Sequence, residues 1–115
     1  MSKTTTNKEE IIMQCIDDHH YYVLKCFENP ELKHEIRFIK KEPVSEGSTE
    51  LKTVHDGVTN EEVLAMLIHR LNGLNSKFPC RENSIIVTKL EESLMWLNKR
   101  TSDRLARGVE GKQIK

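Results

Sequence analysis

The sequence has three cysteines, Cys15, Cys26 and Cys80, none in a CxxC pair. An odd, scattered set gives neither a disulfide framework nor a structural zinc site. The first ten residues are polar and lack the apolar core of a secretory signal, and no run of about 18 apolar residues occurs anywhere. No membrane association is expected, and the reading is a soluble protein of a reducing cytosol. Lys plus Arg equals Asp plus Glu at 18 each, so no net field draws the chain to a DNA or RNA polymer. Catalytic patterns are equally scarce. His34, His55 and His69 have no partner at a recognisable interval, and Cys80 has only distant histidines. No catalytic residue and no cofactor are assigned.

At 115 residues the chain fits one domain with a modest core. Residues 1–8 are polar and expected to be mobile. A β-rich part follows over 9–57. Tyr21-Tyr22-Val23-Leu24-Lys25-Cys26-Phe27 is aromatic and branched and reads as a strand closed by Asn29-Pro30. His34 to Lys40 and Glu50 to His55 alternate as strands, with a loop from Pro43 to Ser48 between them. Residues 9–18 suit either a helix or a strand. After Gly57 the period changes. Thr59-Asn60-Glu61-Glu62 matches a capping box, and Val63, Leu67, Leu71 and Leu74 repeat at helical spacing to about residue 75. A second stripe, Ile86, Leu90, Leu94, Leu97, Thr101 and Leu105, runs from about Asn83 to Gly108, leaving 109–115 as a tail. The expected fold is therefore α+β: a small N-terminal antiparallel β-sheet followed by a long antiparallel α-helical hairpin over 58–108. Some 16 residues in the first helix span about 24 Å and some 26 in the second about 39 Å, so the second must overhang. The sheet, a second subunit or a ligand would cover the overhang, and a homo-oligomer is the preferred answer.

Charge is unevenly placed. From Lys99 onward six cations face only Asp103 and Glu110, a local excess of +4. An anionic partner and a solvated tail both fit that excess. Lys89, Glu92, Trp96, Lys99, Arg100 and Asp103 fall on the face turned away from the leucine stripe. A lone tryptophan among cations can stack a base while they neutralise phosphate. It can equally pack under the sheet or at a subunit contact, and spacing alone favours packing. The stretch Cys80-Arg81-Glu82-Asn83-Ser84, "CRENS", sits where the second helix starts. There Arg81 has the fork for a phosphate, while Asn83 or Ser84 as an ordinary cap is an equal reading. Asp17-Asp18-His19-His20 and Cys15 carry metal-capable atoms. Neighbours along a strand point to opposite faces, so no metal is assigned.

The run from Asp56 to Lys112, with "CREN", then "TKLEESLMWL", "RT" and "RGVEG", resembles the helical hairpin of phage anti-CBASS and anti-Thoeris sponge proteins. "HHYYVLKCFENPE" and "IRFIKKEP" resemble their N-terminal strands more loosely. The departures are "VSEGSTELKTVHDG", where those proteins have a shorter glycine-proline segment, and His69, where an acidic residue is common. The resemblance implies a protein that oligomerises, dimer to hexamer, in the cytoplasm of the bacterial host. It implies sequestering of cyclic oligonucleotides or cyclic ADP-ribose-type signals at subunit interfaces, without hydrolysis. By motif it transfers Arg81, Glu82 and Asn83 from "CREN", Thr88 and Lys89 from "TKLEE", and Arg100 and Arg104 from the following segment. With Trp96 these make the expected ligand-binding set. The other expectation is an interaction module that binds a host protein through Arg104-Leu105-Ala106-Arg107.

Overall fold

A computed structural model describes residues 13–115, so the expected mobile stretch 1–8 lies outside the described residues. The chain divides into two compact units. One comprises the residues up to Lys41 together with Thr53–Val58, the other Glu42–Lys52 together with Thr59–Lys115.

In the first unit, strands β1 (Met13–Asp17), β2 (Tyr21–Lys25) and β3 (Lys33–Arg37) form an antiparallel sheet in the order β1-β2-β3. The ambiguous segment around residue 15 is thus a strand. Branched and aromatic residues in β2 suit its central place, because they pack well on a pleated surface. Tyr21 pairs with Arg37 and Tyr22 with Ile36 across the β2–β3 ladder. The Arg37 guanidinium lies 4.2 Å over the Tyr21 ring, and the Tyr21 hydroxyl donates to Glu35, which pushes the phenol above its ordinary pKa. Tyr22 meets Phe38 edge to face at 5.9 Å. Asp18, His19 and His20 form the turn between β1 and β2, with His19 in the left-handed region at φ 71°. Asp17 bonds the Lys40 ammonium at 3.1 Å, which holds its carboxyl below the ordinary carboxylate range. Gly57 is required where it stands, because a Cβ there would lie 2.4 Å from the Arg37 carbonyl oxygen. Beside it, Val58 donates to Arg37 at 2.9 Å and accepts from Ile39 at 3.0 Å.

The β-rich part holds more than the one expected sheet. Strands β4 (Lys40–Pro43) and β5 (Leu51–His55) form a separate two-stranded sheet, and the division between the units falls within both strands. Their connection turns at Gly47, with φ 79°, and Val44 donates to Glu50 at 2.9 Å.

The second unit is built on helices α1 (Asn60–Lys77) and α2 (Arg81–Arg107). The Thr59 hydroxyl accepts from the Glu62 amide at 3.1 Å, as the capping motif requires. Three residues join the helices, which pack along their length as an antiparallel hairpin. Val63, Leu64, Leu67, Ile68 and Leu71 form the inward side of α1. On α2 the seam is Val87, Leu90, Leu94, Leu97, Thr101 and Arg104. Its spacing of three and four in alternation averages 3.5 residues, the period that keeps two packed helices facing one another. The expected stripe followed the apolar residues instead and missed at both ends. Val87 is buried where Ile86 was expected, and Arg104 where Leu105 was expected; Ile86 and Leu105 are 42% and 63% exposed.

α2 ends as a Schellman motif. Gly108 adopts φ 72°, its amide donates to Leu105 at 3.1 Å, and Val109 donates to Arg104 at 3.0 Å. The chain then folds back. At 27 residues against 18, α2 does overhang α1. The inner side of the overhang is covered by the chain's own tail, a partner the sequence pattern did not suggest.

Candidate ligand-binding surface of helix α2

The connection between the helices is set by Asn75. Its side-chain oxygen accepts from the Cys80 amide at 2.9 Å and its amide nitrogen donates to Ser84 Oγ at 3.0 Å. One side chain therefore closes the linker and fixes the start of α2. The cap is Cys80, whose sulfur accepts from the Asn83 amide at 3.4 Å, so neither Asn83 nor Ser84 caps the helix. α2 begins at Arg81, which puts the whole of "REN" in its first turn.

Counting about 100° per residue, Arg81, Lys89, Trp96, Arg100, Asp103 and Arg107 share an outer sector about 100° wide. Glu82 stands at its edge. Thr88 borders it on the other side, and all of these side chains are exposed. Asn83 is different: it is half-buried and lies on the side of α2 that carries the seam. Lys89 approaches Glu92 at 3.8 Å and Lys99 approaches Asp103 at 3.3 Å. Among the described residues Arg81 and Arg100 have no carboxylate partner.

Toward the C-terminal end of this face lies an open groove of about 370 Å³, lined by Trp96, Lys99, Arg100, Asp103, Arg104, Arg107 and Lys115. Trp96 is 61% exposed, so its ring offers an accessible stacking surface rather than core packing. Cations gathered beside an exposed aromatic ring suit a ligand that joins anionic and aromatic groups.

Arg104 reaches the groove from behind and is only 5% exposed. Its Nε donates to Glu110 at 3.0 Å, and Nη2 donates to the carbonyls of Val109 at 2.8 Å and Lys112 at 2.5 Å. Nη1 donates to the carbonyl of Ile114. Four of the five guanidinium donors are thereby committed within the chain. Arg107 donates to the Lys115 carbonyl at 2.7 Å, which sets Lys115 at the groove.

The expected residues thus separate into two places. Arg81 and Glu82 stand at one end of α2, Trp96 and Arg100 toward the other, with Thr88 and Lys89 between. Nineteen positions divide Arg81 from Arg100, about 28 Å along the axis. Sequence reasoning passed over Asn75 as a linker organiser and Arg107 and Lys115 as groove walls. Only the basic excess of the tail pointed to the latter.

Residues 31–102 match the family described as the Acb2/Tad1 hairpin domain, more than half of the chain. The chain belongs to this family. A relative described as Thoeris anti-defense 1, from Bacillus phage SBSphiJ7, is 41% identical over 109 aligned residues, covering 80% of this chain and 77% of its own length. The family match takes in β3 through most of α2, including Arg81, Trp96 and Arg100. It ends before Arg104 and the tail.

Proposed function

We propose that the protein captures a cyclic nucleotide immune signal, a cyclic oligonucleotide or a cyclic ADP-ribose isomer, and holds it without cleaving it. Sequestering the signal would blunt a bacterial defence from within the host cytoplasm. Family membership and the anti-defence name of the phage relative support the biological setting. The observation that carries the chemistry is the groove, where the exposed Trp96 ring stands beside Arg100, Arg107 and Lys115. A ring stacks a base, and guanidinium forks fit phosphate bidentately. Such capture uses no nucleophile and no metal.

The site is shared between copies of the chain. Arg81 and Arg100 cannot touch one small ligand from the same helix across about 28 Å. Two α2 helices laid antiparallel on their outer faces bring the Arg81 end of one to the Arg100 end of the other. Ile85, 41% exposed on that same face, gives such a contact an apolar element. Arg81, Glu82, Thr88 and Lys89 from one copy then meet Trp96 and Arg100 from another, in a homo-oligomer between dimer and hexamer. Asn83 is half-buried on the inner side of the first turn, away from that shared face.

The exposed Leu105 favours a second reading, in which the end of α2 binds a host protein. The test is to incubate the protein with cyclic di- and trinucleotides and cyclic ADP-ribose isomers, remove it by filtration, and release its cargo by heat. Capture predicts one compound depleted from the filtrate and returned intact. Recovery of a chemically altered product overturns the reading, and full recovery in the filtrate favours the second one.

A further inference from the structure

We infer that Arg104 is a positioning residue: it clamps Gly108–Lys115 into a wall of the groove, and ligand affinity there depends on that clamp rather than on contact between Arg104 and ligand. The inference rests on the proposed function of the groove.

The tail has no helix or strand of its own, so something must hold it. Its carbonyls at Val109, Lys112 and Ile114 converge on one guanidinium, whose charge is balanced by Glu110. A planar fork with donors on several edges can serve acceptors spread around it; an ammonium, a single point with three donors, cannot. From the other side the tail is tied to the β4–β5 connection within the same unit. Gln113 donates to the Thr49 carbonyl at 2.8 Å, and Lys112 pairs with Glu50 at 3.3 Å. Arg107 then fixes Lys115 as a groove cation. Asp103 is occupied by Lys99, so Arg100, Arg107 and Lys115 set the sign of the groove.

Arg104→Lys weakens binding whether Arg104 clamps the tail or touches the ligand, so the state of Trp96 without ligand is what separates the two. Charge is kept and the fork is lost. Trp96 is the single tryptophan, so fluorescence reports from the groove alone. With cyclic di-AMP as the probe, the clamp predicts that Arg104→Lys weakens binding about tenfold or more. Lys115→Ala, an exposed change that leaves folding intact, should weaken it by a smaller factor. Without any ligand, iodide quenching of Trp96 relative to neutral acrylamide should fall in both variants, because the cationic wall is loosened or discharged. Near-wild-type binding and an unchanged quenching ratio in Arg104→Lys overturn the inference. If the wild-type protein itself does not bind cyclic di-AMP or any other cyclic nucleotide, the functional reading of the groove fails, and the quenching ratio alone decides the clamp.

Discussion

The two ends of α2 use arginine in opposite ways. At the first turn, Arg81 is exposed and unpaired among the described residues, and the local geometry is held by Asn75, Cys80 and Ser84. At the last turns, Arg104 is buried and holds the tail, while Arg100, one turn earlier, stays exposed. The lesson is that a basic residue is available to a ligand only when other groups do its neighbourhood's structural work. Motif position alone does not separate Arg100 from Arg104; donor occupancy does.

The largest effect that tests this contrast is on stability. Arg104→Ala leaves three carbonyls and Glu110 without their donor and should cost about 3 kcal/mol, whereas Arg100→Ala should cost under about 0.5 kcal/mol. Urea unfolding that gave the two variants equal losses would erase the distinction. Next in size is binding. Arg81→Ala should weaken capture by about 1.5 to 3 kcal/mol, the range for a lost charge-assisted bond, with stability unchanged. Calorimetry showing wild-type affinity would remove the first turn from the site. The seam gives a third test, because Val87→Ala should cost about 2 kcal/mol and Ile86→Ala less than about 1 kcal/mol. The reverse order in thermal unfolding would restore the apolar stripe as the packing register. Smallest is Cys80→Ser. An oxygen is a better cap than a weakly accepting sulfur, so a gain of up to about 0.5 kcal/mol is expected, and a clear loss would show that the thiol does more than cap.

Much of the architecture was readable from local chemistry. Thr59 capped as its motif requires, Gly108 stopped α2 in the left-handed region, and the aromatic β2 became a central strand. These depend on neighbours within a few positions. What stayed hidden depends on longer reach or on groups that every residue carries. Arg104 binds mostly backbone carbonyls, which leave no trace in side-chain pattern. Its burial also follows the 3.5-residue seam, not hydrophobicity, so a stripe drawn through leucines chose Leu105 instead. Asn75 read as a helix stop because its two bonds reach forward to Cys80 and Ser84. At the candidate site, periodicity placed Trp96 on the outer face of α2, but spacing alone favoured packing for its ring, which is 61% exposed in the chain. The roughly 28 Å between its two basic ends was already implicit in helix rise. The occupied donors of Arg104, and the bond by which Arg107 brings Lys115 to the groove, were not legible, because both depend on where the tail folds back.

The central claim is that both ends of α2 meet the same signal across two chains. The most direct measurement is calorimetry on Arg81→Ala and Arg100→Ala proteins, each alone and then mixed under conditions that allow chains to exchange, with the captured nucleotide as titrant. In a dimer, the account predicts that each variant alone binds the nucleotide more weakly at every site. It also predicts that the mixture recovers wild-type affinity at about a quarter of the sites, those pairing an intact Arg81 with an intact Arg100. A mixture that binds no better than its parents would contradict a shared site.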